Sequence, residues 1–356
     1  MTLRNIGFSD ASELFVFLAG YSAALAYSKR FVQSGYFVTA LHILRRSWIL
    51  YIAHVFLLAQ LMALIFIIND YVETRDLVEE MGLTYFIGNP VQTLVDGLLL
   101  RFKPGLLDPL PLYIILLITL AAILPLLLRH TVATLSLSVL VYIIAVQEEW
   151  NLHSQTYGAW FFNPLAWQLL FFLGAATGIH RDALAELGQK IGPRWLHRLL
   201  MASLIFLGLS ALIVLSWNWP QVHDRWMPQF LAQLLYPIDK TNLALVRLLH
   251  FLVLMFCVAV LLPQGRWLST PLAHAIRLMG RHSLVVFCLG VLLAPLADSI
   301  DTLAGDTLLI QWSTALAGCI VMWLLALLPE WFQLQLRQSA SSSRLTTTPD
   351  HLSNVA

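Results

Sequence analysis

The amino-acid sequence predicts an all-α fold, a polytopic transmembrane helical bundle of about nine spans, and three observations carry that prediction. Apolar residues make up 59% of the 356-residue chain and charged residues only 12%, about half the charged share of ordinary soluble domains. The apolar residues are gathered into runs that approach the ~20 residues needed to cross a bilayer. Lys and Arg are shared unequally between the loops that join those runs. A soluble fold could not hide this much apolar surface, whereas a bilayer offers a solvent that is itself apolar.

The runs are 11–28, 47–69, 111–128, 131–146, 163–179, 198–216, 242–262, 283–300 and 308–329. A tenth, 90–100 (PVQTLVDGLLL), is too short to cross and carries Asp96, so it reads as a re-entrant or interfacial piece. The stretch 29–46 holds Lys29, Arg30, Arg45 and Arg46 and no acid, which marks it as cytoplasmic. Alternation from there puts fourteen of the 21 Lys and Arg inside and six outside, with Arg247 in a helix. Glu148, Glu149, Asp301, Asp306 and the acidic loop 70–80 fall outside. The bookkeeping closes only if 90–100 does not cross. It predicts a multi-pass inner-membrane protein with an outer N-terminus, a membrane domain over 1–330 and a cytoplasmic tail over 331–356. The Ser/Thr-rich end of that tail, from 338 on, is expected to be disordered.

Composition also excludes function classes. A net charge of +1 says nothing about nucleic acid or acidic partners, and no nucleic-acid partner is expected. Cys257, Cys288 and Cys319 lie inside apolar runs with no disulfide framework or zinc spacing. No internal repeat, cleavable signal peptide, nucleotide loop or metalloprotease motif is present. No bound cofactor is expected.

Polar groups in hydrocarbon are costly, so each is a functional candidate. Asp10 and Glu13, at the outer mouth of the first span, offer two carboxylates for acid–base work. Their spacing of three also fits a capping box, the plainer reading. Gly20 and Ala24 form a small-residue pair that admits a close helix neighbour, and Tyr21 beside them suits a cavity. Arg45 and Arg46 either fix orientation or hold the phosphates of an anionic donor. His54 lies roughly 10 Å deeper along the same helix, as a base or as a bond to a neighbouring helix. Arg247 and His250 share a helix face and suit an anion, unless Arg247 snorkels to the surface. At the cytoplasmic start of the eighth span, Arg281 serves orientation or a donor, His282 a base, and Ser283 a cap. Asn163 and Pro164 read as a cap and first helical residue. Gln168, a turn further in, is expected to bond across helices.

Five strings taken in order resemble one family: GFSDASELFVFLAGYSAALAY (7–27), RFKPGLLDPLPLYI (101–114), FNPLAWQLLFFLGA (162–175), RLLHFLVL (247–254) and MGRHSLVVFCLGVLL (279–293). They resemble the OpgC family, membrane proteins associated with succinylation of osmoregulated periplasmic glucans. The resemblance implies an acyltransferase that takes an acyl group, such as succinyl, from a cytoplasmic acyl-CoA and places it on a sugar hydroxyl at the periplasmic face. Ser9, Asp10, Glu13, Tyr21, Asp108, Asn163, Gln168, Arg247, Arg281, His282 and Ser283 match the family strings. Family members usually begin with a further helix carrying an Arg near its start and an Asp-His pair near its end. That segment would precede residue 1, and the reading frame is expected to continue into it.

The leading expectation is therefore O-acyl transfer to a periplasmic glycan. His282 and His54, with Asp10 and Glu13, are the candidate catalytic groups. Arg45, Arg46, Tyr21, Gln168, Arg247, His250 and Arg281 are the candidate substrate contacts. The competing readings are a transporter or flippase for a glycan or anionic metabolite, and an inactive subunit of an acylation complex.

Overall fold

The computed structural model describes residues 7–72, 75–156, 158–262 and 265–345. Helices dominate, as a long apolar sequence requires when backbone polar groups must be satisfied within each crossing segment. In chain order they are α1 (Ala11–Asn69), α2 (Leu77–Glu80), α3 (Thr84–Gly88), α4 (Pro90–Leu98), α5 (Pro109–Arg129) and α6 (Thr131–Gln147). A two-residue hairpin follows, β1 (His153–Ser154) paired antiparallel with β2 (Gly158–Ala159). Then come α7 (Pro164–Ile179), α8 (Arg181–Lys190), α9 (Pro193–Ser216), α10 (Pro220–Trp226), α11 (Gln229–Leu235), α12 (Leu245–Leu261), α13 (Pro271–Arg281), α14 (Ser283–Leu303) and α15 (Leu308–Leu345).

Among the described residues, five helices are long and apolar enough to cross a membrane: α1, α5, α9, α14 and the first 25 residues of α15. Three shorter apolar helices, α6, α7 and α12, accompany them. The protein is a multi-pass membrane protein. The residues fall into two compact units, one of Met1–Ala59 with Val78–Pro263, the other of Gln60–Leu77 with Gln264–Ala356.

The stretch 29–46, read from sequence as a loop, is helical on both sides of one break. Gly35 sits at φ 76° inside α1, a left-handed conformation that only glycine adopts without steric cost. The helix doubles back there. Tyr27 and Arg46 interact electrostatically, although a straight helix would hold them about 28 Å apart.

In the first unit, α7 is the most enclosed helix. Trp167, Leu170, Phe171 and Ala175 are fully buried along it. Its small residues meet the first arm of α1. A methyl group added at Gly20 would strike the Phe171 carbonyl, one at Gly174 the Phe17 carbonyl, and one at Gly178 would lie 2.7 Å from the Tyr21 carbonyl. Ala24 is fully buried on the same arm.

The segment 90–100 is too short to cross. It forms nine-residue α4, only ~14 Å long. It packs beside the middle of the second arm of α1, where the Tyr51 hydroxyl donates to the Leu98 carbonyl at 3.0 Å. A side chain at Gly97 would meet Leu58.

In the second unit, α14 and α15 pack together. Arg75 pairs with Asp298 at 2.7 Å near one end of α14, and Arg281 pairs with Glu330 at 3.1 Å at the other. The tail that was expected to begin at 331 is helical as far as Leu345; residues 346–356 lie outside the described residues.

Candidate functional site: a balanced ion cluster beside a histidine-capped cavity

The start of α1 carries both readings of its carboxylates at once. One oxygen of each belongs to the helix: Asp10 Oδ1 accepts from the Ser12 amide, and Glu13 Oε2 accepts from the Asp10 amide, each at 2.8 Å. This is a capping box with Asp in the cap position. The other oxygen of each faces a cation. Arg247 Nε donates to Glu13 Oε1 at 2.8 Å and its Nη2 reaches the same oxygen at 2.6 Å. That Nη2 also lies 3.3 Å from Asp10 Oδ2, which Lys240 Nζ meets at 2.7 Å. Two anions face two cations, so the cluster is neutral. Arg247 is 5% exposed and Glu13 fully buried, so Arg247 does not snorkel out. Burial alone would raise the Asp10 carboxyl; hydrogen bonds from Lys240 and the Ser12 amide, with the Lys240 charge, outweigh it and hold the group well below the ordinary carboxylate range.

Lys240 was not singled out by the sequence. It is delivered by a turn built on Asp239, whose carboxylate accepts from the amides of Thr241 at 2.8 Å and Asn242 at 3.2 Å. The turn is bolted to α7. Asn163 caps that helix through Leu165 N at 3.0 Å and donates to Asn242 Oδ1 at 2.8 Å. Trp167 Nε1 donates to the carbonyls of Lys240 and Thr241, both at 3.1 Å.

One turn along α12 from Arg247, His250 Nδ1 lies 2.7 Å from Ser9 Oγ. Phe8 and Phe206 pack on the ring, with centroids at 5.7 and 6.1 Å. A methyl at Gly7 would strike Nε2, so glycine there permits the approach. When Nδ1–H donates to Ser9 Oγ, the lone pair is on Nε2, the arrangement of an oriented base. Ser9, Asp10 and His250 border a cavity of about 480 Å³ that runs on between α1, α9 and α12.

A second polar group lies around the turn after α4. Lys103 is 1% exposed and its ammonium sits 3.3 Å from the centre of the Trp160 ring. Its backbone is held by the Thr156 hydroxyl, at 3.3 Å to the amide and 3.0 Å to the carbonyl. Burial pulls Lys103 down to about 7 against the pull of Asp108, and burial pushes Asp108 up to about 6 against the pull of Lys103. His54 is fully buried and interacts with Lys103. Neither its ring nitrogens nor Lys103 Nζ has a hydrogen-bond partner among the described residues. His54 thus faces the Lys103 turn, not the Arg45–Arg46 end, and makes no bond to a neighbouring helix.

The other candidates divide. Arg45 is exposed, and Arg46 is half-buried near Tyr27 and Tyr113. Tyr21 is half-buried, its backbone against Gly178. Gln168 bonds across helices: it accepts from Ser138 Oγ at 2.6 Å and donates to the Ser138 carbonyl at 2.8 Å. Its amide is thereby occupied. Arg281 and His282 lie in the second unit, where His282 is half-buried at the joint of α13 and α14. Ser283 is the first residue of α14 and not its cap.

No curated protein and no solved structure matches the chain. The model of one family, described as OpgC protein, matches residues 1–334 and so takes in the ion cluster, the Ser9–His250 pair and the Lys103 turn. The chain belongs to the OpgC protein family.

Proposed function

We propose that this protein is a membrane O-acyltransferase of osmoregulated periplasmic glucan modification, moving an acyl group such as succinyl from a cytoplasmic acyl-CoA to a sugar hydroxyl at the periplasmic face of the inner membrane. Family membership supports the glucan reading. One observation supports the chemistry: a buried imidazole, oriented by Ser9, beside a neutral ion cluster at the mouth of a cavity. Among the described histidines, His250 is the one so placed.

In this reading His250 Nε2 takes the proton of the sugar hydroxyl as its oxygen forms a bond to the thioester carbonyl carbon. The carbon–sulfur bond then breaks, and the thiolate leaves with a proton returned from His250. Arg247 and Lys240 answer negative charge that develops on the carbonyl oxygen, while Asp10 and Glu13 hold both cations in place. The spans number nine when the arms of α1 count separately and α6, α7 and α12 cross. Arg45 and Arg46 serve the donor at the cytoplasmic end of the first unit.

The test is transfer of labelled succinyl from succinyl-CoA to glucan by the purified protein in proteoliposomes. Labelled glucan that depends on the protein is expected. Transport of unmodified glucan without labelling would overturn the reading.

A further inference from the structure

The 480 Å³ cavity carries more than its polar mouth. Its lining is segregated. Ser9, Asp10 and His250 supply the polar groups, and the rest is hydrocarbon, including Leu14, Leu207, Leu254, Met255 and Val258. From His250 to Val258 is about 12 Å along α12, close to the ~15 Å of one leaflet of a bilayer's hydrocarbon core. A sugar or a charged acyl chain in that part would leave its own polar atoms unpaired, a cost that hydrocarbon does not carry. Gly208 also lines the space, and a Cβ placed on it meets nothing within 4 Å. The walls belong to the apolar helices α1, α9 and α12.

We propose that the apolar part of this cavity binds one hydrocarbon chain of a membrane lipid from the leaflet on the Asp10 side, with the lipid's head lying outside the Ser9–His250 pair. The occupant is an amphiphile because the site is one. Each end of such a ligand meets its own kind, and the hydrocarbon part suits neither a free dicarboxylate nor a free sugar. The site does not depend on acyl transfer, and its test reads binding alone.

Full-length protein in nanodiscs containing a phospholipid with a photoactivatable acyl chain is irradiated, and labelled peptides are mapped. Labelling is expected to concentrate on 207–211 and 250–258. Gly208→Phe, which places a ring in the open space, is expected to lower it about tenfold, the change that ~1.4 kcal/mol of affinity brings. Labelling spread evenly over all the apolar helices, the mark of loosely surrounding lipid, would overturn the proposal. So would concentrated labelling that Gly208→Phe leaves unchanged. If Gly208→Phe does not elute as a folded species, Ala211→Leu takes its place under the same two outcomes.

Discussion

Asp10 and Glu13 each divide their oxygens between a helix end and a cation. Removing one partner leaves a charge buried and uncompensated, which costs more than the intact pair contributes. Arg247→Met is therefore expected to destabilise the protein by about 3–5 kcal/mol. Arg247→Met with Glu13→Gln is expected to cost clearly less than the two single changes added together. Unfolding in mixed micelles measures both, and simple additivity would contradict the coupling. The Lys103–Asp108 pair sets a pH dependence. Asp108 is raised from its ordinary value to about 6, so its folded form holds the proton longer; stability falls as pH rises from about 4 to 6. Lys103 is lowered to about 7, so stability rises from about pH 7 towards 10.5. Lys103→Met with Asp108→Asn is expected to flatten both limbs of Tm against pH. The three-residue spacing of Asp10 and Glu13 was legible as a capping box, because capping is local. Lys240 was not legible, because it meets Asp10 across 230 residues through a turn fixed by Asp239, Asn163 and Trp167.

Elements were legible in kind and less so at their joints. The apolar runs marked the helices, since hydrocarbon length alone sets them. The bend at Gly35 was hidden: helical sequence flanks it on both sides, and only the backbone angle reveals it. Gly20 and Ala24 announced a close neighbour, but its identity as α7 came from the matching glycines 174 and 178. Those contacts are backbone against backbone, with no flexible side chain to yield. Gly174→Leu is expected to cost upwards of about 3 kcal/mol, the high end of overpacking, or to abolish folded yield. Gly208→Ala, into open space, is expected to leave stability within about 1 kcal/mol, helped slightly by helix propensity. Elution profiles and thermal unfolding compare the two. Equal behaviour would contradict the packing of α1 on α7.

For the whole chain, the charge bias of the loops predicts reporters fused at Arg337 in the cytoplasm and near Glu79 in the periplasm; a periplasmic signal at Arg337 would reverse the topology. In the first unit, segments read as lying on one side meet. Asn163 bonds the Thr241 carbonyl and Gln155 the Arg101 carbonyl, while Thr131 meets His180 at the other end. Long-range assembly of this kind leaves no trace in periodicity, so neither the Lys103 neighbour of His54 nor the Ser9 partner of His250 was legible. The most direct test of the account compares succinyl transfer by wild type, His250→Ala, Ser9→Ala and His282→Ala in proteoliposomes at matched folded protein. Loss of a positioned base lowers the rate by about 10²–10⁴. That loss is expected for His250→Ala, with a smaller one for Ser9→Ala, which removes only the orienting bond, and an intermediate one for His282→Ala at the donor side. Transfer by His250→Ala at the wild-type rate would contradict the assignment of the base.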